Sequence, residues 1–154
     1  MATNNMTVIE LPEESIPMDK WHKDHWSTLA YINAVIVDHG YFEIGLDGQM
    51  RTKQYNFCYL LEKNSKPKRT KLYTGVAMSA DGGTRIKDNI FIRGHDDWDC
   101  VSDFLVAGLF NEQSVEPGVK LHLSDFGSTV CASLRKHKAN GGTFATFVYE
   151  NDGT

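Results

Sequence analysis

Gly94-His95-Asp96-Asp97-Trp98-Asp99-Cys100-Val101-Ser102-Asp103-Phe104-Leu105-Val106-Ala107-Gly108-Leu109-Phe110 is the stretch on which the fold turns. It combines a dense group of ionisable side chains with a clear helix signal. Asp96 or Asp97 can cap the free amides of a first helical turn, and Asp99 adds negative charge near the positive end of the helix dipole. Trp98, Val101 and Leu105 recur at i, i+3 and i+7 with Phe104 beside them, which predicts one apolar face. Gly108 supplies a left-handed stop, and Leu109 packs back against the helix. Two chemistries compete for the charged end. As a surface, Asp96, Asp97, Trp98, Asp99 and Asp103, with Trp26, form an outward acidic lip for a partner. As a site, His95, Asp97 and Asp99 can act as acid and base, or His22, His25, His95 and Asp97 can hold a divalent metal.

C-terminal to this stretch, Pro117-Gly118 marks a loop, and Val119-Lys120-Leu121-His122-Leu123 alternates as a strand with Lys120 and His122 on its wet face. Ser124 caps a second helix lined by Phe126, Val130 and Leu134, with Cys131 beside them. Arg135, Lys136, His137 and Lys138 load its C-terminal end, where the dipole favours cations, and Ala139-Asn140-Gly141-Gly142 stops it. Thr143 to Tyr149 alternates again and reads as a last strand.

N-terminal to the stretch, Leu72–Met78 and Thr84–Ile92 flank Asp81-Gly82-Gly83, the pattern of a β-hairpin. The run from Arg51 to Lys71 is basic. Its Lys66, Lys68, Arg69 and Lys71, near Tyr55, Phe57 and Tyr59, are the residues that could meet a phosphate backbone. Asp47-Gly48 marks a turn. Ser27 to His39 reads as a core helix that Asp24 or Ser27 caps and Gly40 ends, although Val35-Ile36-Val37 is also strand-like. In Trp21-His22-Lys23-Asp24-His25-Trp26 the tryptophans anchor to the core. The histidines, three apart, sit at the surface or chelate together.

A chain of 154 residues is most simply one domain, here 21–150 preceded by a flexible arm over 1–20. The formal net charge of −4 argues against a general nucleic-acid binder. Cys58, Cys100 and Cys131 are odd in number and form no Cys-x-x-Cys pair, which points to a reducing cytoplasm. No apolar run reaches the roughly 20 residues that span a bilayer.

Ala107-Gly108-Leu109 and Leu123-Ser124-Asp125-Phe126-Gly127 resemble the helix end and helix start that flank the wing strand of winged-helix regulators. That resemblance implies a winged-helix-like fold and DNA binding, but the helix in the recognition position carries Asp96, Asp97, Asp99 and Asp103, which repel phosphates. His25–Thr28, Gly94–Cys100 and Leu134–Gly142 resemble stretches of a family of small uncharacterised phage and prophage proteins. That resemblance carries no activity with it; for a phage-borne binding protein, interference with a host machine or defence system in the host cytoplasm is the natural expectation.

The expected fold is α+β: a single compact domain with a core helix, a β-hairpin and a winged-helix-like helix-strand-helix-strand C-terminal half. The expected function is non-enzymatic binding, through the acidic surface, to a host protein or protein–nucleic acid complex, with no cofactor and no membrane and with homo-oligomer formation open. The alternatives are a small metal-dependent hydrolase or nuclease built on His95–Asp99, a winged-helix DNA-binding regulator, and a small-ligand sensor with Trp21, Trp26 and Trp98 around an aromatic pocket.

Overall fold

The computed structural model describes residues 6–46, 55–58, 83–95, 97–115 and 118–150. Its fold is α+β, with three helices and two small sheets among these residues. In chain order the elements are β1 (Thr7–Glu10), a 3-10 turn (Met18–Lys20), α1 (Lys23–His39), β2 (Phe42–Leu46), β3 (Tyr55–Cys58), β4 (Gly83–Ile86), β5 (Ile90–Arg93), α2 (Asp97–Val106), β6 (Phe110–Val115), β7 (Gly118–Leu123), α3 (Asp125–Ala139) and a second 3-10 turn (Phe144–Thr146).

Helix α1 resolves the ambiguity of 27–39 in favour of helix. Leu29, Ala30, Ile32, Ala34 and Val35 are all buried along it, so its apolar residues surround the axis in a way a strand could not use. Gly40 ends it at φ +91° and Gly108 ends α2 at φ +85°, the left-handed conformation that glycine adopts without strain. The expected caps of α1 are displaced: His22 is the N-cap residue, without a capping side-chain bond. Asp24 instead accepts the backbone N–H of Arg85 at 2.7 Å and ties the first turn to β4.

One sheet has the order β1-β5-β4, with β1 parallel and β4 antiparallel to β5. The other is antiparallel in the order β3-β2-β7-β6. The core lies where α1, α2 and α3 meet the sheets, around Trp21, Trp26, Phe42, Ile92, Phe104, Leu121 and Leu134.

Four expectations give way. Residues 1–20 were read as a flexible arm, but from Thr7 the chain pairs with β5, and Ile16 is buried in the core. Thr84–Ile92 is not one strand. It folds on itself at Lys87-Asp88-Asn89, because Asp88 (φ 69°) and Asn89 (φ 59°) take the left-handed turn that these side chains tolerate. Its proposed partner Leu72–Met78, the Asp81-Gly82 turn and the Asp47-Gly48 turn lie outside the described residues. Thr143–Tyr149 is not a strand. Thr143 and Thr146 close a capping box around a 3-10 turn, and His137 lies 2.9 Å from the Thr143 carbonyl oxygen through Nε2. The C-terminal half is therefore helix-strand-strand-helix: Phe110–Val115 is strand where a loop was expected, and the final strand is absent from the described residues.

Helix α3 follows the sequence closely. Ser124 Oγ accepts the Gly127 N–H at 2.9 Å, and Val130, Cys131 and Leu134 are buried. Phe126 departs: it is 38% exposed and packs edge-on against Tyr149. Gly127 sits so close to the Leu109 carbonyl that a Cβ there would overlap it. The start of α3 is thereby clamped onto the end of α2.

Candidate metal centre

Three side chains from separate elements converge beneath α2. His25 is in the first turn of α1, His95 follows β5, and Asp103 is in the middle of α2; all three are buried. Asp103 Oδ2 lies 2.7 Å from His25 Nε2 and 2.9 Å from His95 Nε2. One nitrogen from each histidine and one oxygen of Asp103 lie within 4.8 Å of one another, as a ligand set requires.

Each member has a reason for its position. Trp21, four residues before His25 and ahead of α1, lies flat against its ring at 5.1 Å with an interplanar angle of 2°, and Phe104 meets the same ring edge-on. The other carboxylate oxygen, Oδ1 of Asp103, accepts the backbone N–H of Ile16 at 3.0 Å. The Ile16 carbonyl in turn accepts the Trp21 indole N–H at 2.8 Å. The N-terminal segment is thus bonded to the cluster it covers.

His95 is held from behind by Thr84 of β4. The Thr84 hydroxyl donates to the His95 carbonyl at 2.6 Å and lies 2.8 Å from His95 Nδ1. A hydroxyl has one proton, and the shorter bond uses it. Nδ1 therefore donates to Thr84, which fixes the ring orientation and leaves Nε2 as the nitrogen that faces Asp103. The Cys100 sulfur lies 4.0 Å from Nδ1, on the side of the ring away from the cluster. His25 has no such support: its Nδ1 is buried without a hydrogen-bond partner. The two imidazoles are chemically unequal.

Burial acts on Asp103 to raise its carboxyl, but hydrogen bonds from His25 and His95 outweigh it and hold the group below its ordinary value. Burial also dominates at His25. It pushes the imidazole below its ordinary value despite the opposing hydrogen bond to Asp103. The result is a carboxylate beside a histidine that resists protonation, both favourable states for metal ligation.

The cluster borders a cleft of about 510 Å³, within the usual range for ligand sites. Leu11, Pro12, Glu13, Glu14 and Ser15 form one side; His95, Asp99, Ser102, Asp103 and Val106 form the other.

Several sequence expectations are corrected here. Asp99 and Asp103 are 4% and 3% exposed, so they do not form an outward acidic lip. Helix α2 is buried on more sides than its apolar stripe implied, because Asp99, Cys100, Val101, Asp103 and Phe104 all face protein. Trp26 is a core residue, edge-on to Trp21 and Phe147, and not a binding residue. His25 was placed at the surface as one reading, and it is fully enclosed; His22 does not join the metal group. Asp96, the side chains of Asp97 and Trp98, and the basic residues Lys66, Lys68, Arg69 and Lys71 lie outside the described residues. The sequence reading assigns Asp103 to the outward lip and not to the metal set, and it does not single out Thr84 or Ile16. The available hint was the Asp99–Asp103 spacing of one helical turn beside Cys100 and Phe104, which places two carboxylates next to a buried stripe.

No described helix is long and apolar enough to cross a membrane. Cys100 and Cys131 are buried, and burial pushes the Cys131 thiol up to about 12, which leaves it an inert thiol. No protein-family model, curated protein or solved structure matches the chain.

Proposed function

We propose that this chain is a small divalent-metal-dependent hydrolase, with His25, His95 and Asp103 as the metal ligands. One observation carries the reading: two imidazole nitrogens and a carboxylate oxygen, drawn from three elements, converge within 4.8 Å at the edge of a cleft. A bound divalent ion supplies Lewis acidity toward water and a substrate carbonyl or phosphoryl oxygen. The chain's own residues supply the rest. Thr84 holds His95 in the ligating tautomer, and Ile16 holds Asp103 in place. Leu11 to Ser15 restrict water on one side. Asp99, on the opposite cleft wall, is the carboxylate we assign to receive the proton of an attacking water. This reading replaces partner docking through an acidic face, because Asp103 is bonded inside the molecule and Asp99 is buried.

The test is calorimetric titration of the full chain with Mn²⁺, Co²⁺ and Zn²⁺, followed by hydrolysis assays on p-nitrophenyl acetate and bis-p-nitrophenyl phosphate with the best ion. The expectation is one ion bound per chain, binding lost in His95→Ala, and ion-dependent turnover that Asp99→Asn lowers. Flat traces for all three ions would end the metal reading. Binding without turnover on either substrate would end the hydrolase assignment and leave the site.

A further inference from the structure

Resting on that metal-site reading, we infer that the site takes a six-coordinate divalent ion of the Mn²⁺, Fe²⁺, Co²⁺ or Ni²⁺ type. The ion is held on one face by His25, His95 and a single oxygen of Asp103. Its three remaining adjacent positions turn toward the cleft.

Four observations carry this. First, Asp103 has only one oxygen to give, because Oδ1 already accepts the Ile16 N–H at 3.0 Å. Second, Asp103 Oδ2 already lies 2.7 and 2.9 Å from the two imidazole nitrogens in direct hydrogen bonds. An entering ion would replace those bonds and, with bonds of about 2.1 Å, spread each pair of adjacent donors to about 3.0 Å in six-coordination and about 3.4 Å in a tetrahedral site, so six-coordination asks for the smaller movement of these elements. Third, no fourth histidine, cysteine or carboxylate joins the group among the described residues, and the nearby Cys100 sulfur lies on the Nδ1 side of His95. A closed four-ligand structural site is thereby disfavoured, as is a soft thiolate site. Fourth, His95 and Asp103 both line the cleft while His25 is fully enclosed, so the open side of the ligand set is the cleft side. Two imidazoles and one carboxylate with open adjacent positions form the arrangement that suits such ions. Three open positions admit a ligand that chelates through two oxygens together with one water.

Cobalt distinguishes the geometries, because six-coordinate Co²⁺ has weak visible ligand-field bands and four-coordinate Co²⁺ has intense ones. The full chain is titrated with Co²⁺ alone, and acetohydroxamate is then added as a two-oxygen probe. Weak bands that shift on addition of the probe, with cobalt retained on the protein after desalting, are the expected result. Intense four-coordinate bands, or weak bands indifferent to acetohydroxamate, would overturn the six-coordinate inference while leaving a metal site in place. No cobalt uptake, together with flat calorimetric traces for manganese and zinc, would instead remove the metal-site reading beneath it. His95→Ala is expected to abolish the bands, and His122→Ala, on the exposed side of β7, to retain them. If His95→Ala does not fold by circular dichroism, His25→Ala takes its place with the same expectation, and unchanged bands in the folded variant would overturn the assignment.

Discussion

Replacing Asp103 by asparagine tests the cluster with almost no change in shape. The amide oxygen can keep the Ile16 bond, so the backbone contact survives. The amide nitrogen then stands where Oδ2 met both imidazoles at 2.7 and 2.9 Å. It donates and cannot accept, so each histidine must present a lone pair at Nε2. His95 can do so, because its Nδ1–H already has Thr84. His25 cannot do so without loss: its proton moves to Nδ1, a buried atom with no partner. The charge-assisted bond from His25 becomes a neutral one, at about 1 to 1.5 kcal/mol, and one buried N–H is orphaned at about 1 to 3 kcal/mol. Relief from burying a carboxylate offsets about 1 to 2 kcal/mol of this. The net loss is about 1 to 3 kcal/mol, a sizeable share of the roughly 5 to 15 kcal/mol that holds a domain of this size together. In urea, read by tryptophan fluorescence and circular dichroism, the midpoint should fall by about 0.5 to 1.5 M with an unchanged slope. Asp88→Asn, at an exposed turn position where asparagine accepts positive φ, is the control and should move the midpoint by less than about 0.25 M. If the two variants unfold at the same urea concentration, the cluster does not contribute as described.

Two further outcomes follow from the same structure. His25 sits below its ordinary value because burial disfavours its cation, so the unfolded chain binds a proton near pH 6.5 that the native chain resists. Stability is therefore fully present above that value and falls as pH drops through it, by at most about 1.4 kcal/mol per pH unit; urea midpoints that stay level between pH 7.5 and 5.5 would contradict this. Asp103, held below its ordinary value, adds a second loss only at more acid pH, as pH falls through its lowered native value. Gly127→Ala should destabilise by about 2 kcal/mol or more, because its Cβ meets the Leu109 carbonyl backbone; thermal melting indistinguishable from the parent would show that this clamp yields easily.

Much of the architecture is legible locally. The Ser124 cap, the Gly40 and Gly108 stops and the strand over Val119–Leu123 depend on near neighbours in the chain, and the structure has all of them. Local reading fails where one pattern fits two structures. Alternation through Ile86, Ile90 and Ile92 suits one strand, but Asp88-Asn89 turns the chain between them. Alternation from Thr143 also suits a strand, but Thr146 three residues on closes a capping box. The metal cluster was half legible. His95 stands out beside its acidic run, whereas Asp103 reads as outward because a polar residue on a helix ordinarily faces solvent. That rule fails where a helix is enclosed and its carboxylate has buried donors, and the donor in question lies 78 residues away in the chain.

The bond from Ile16 to Asp103 joins positions 87 residues apart, and the ion pair of Glu10 with Arg93 joins positions 83 apart. Contacts of that span form only after much of the intervening polypeptide has been organised, so the leading segment should be among the last parts to settle during folding. It can also be the first to let go, since lifting it breaks one short ladder while α1 and the four-stranded sheet stay intact. Hydrogen exchange should then find the amides of Val8 to Glu10 trading with solvent well before those of α1. His95 meets the cleft directly, but anything from bulk water would reach the enclosed His25 ring through such partial detachment, at a pace set by the protein and not by diffusion.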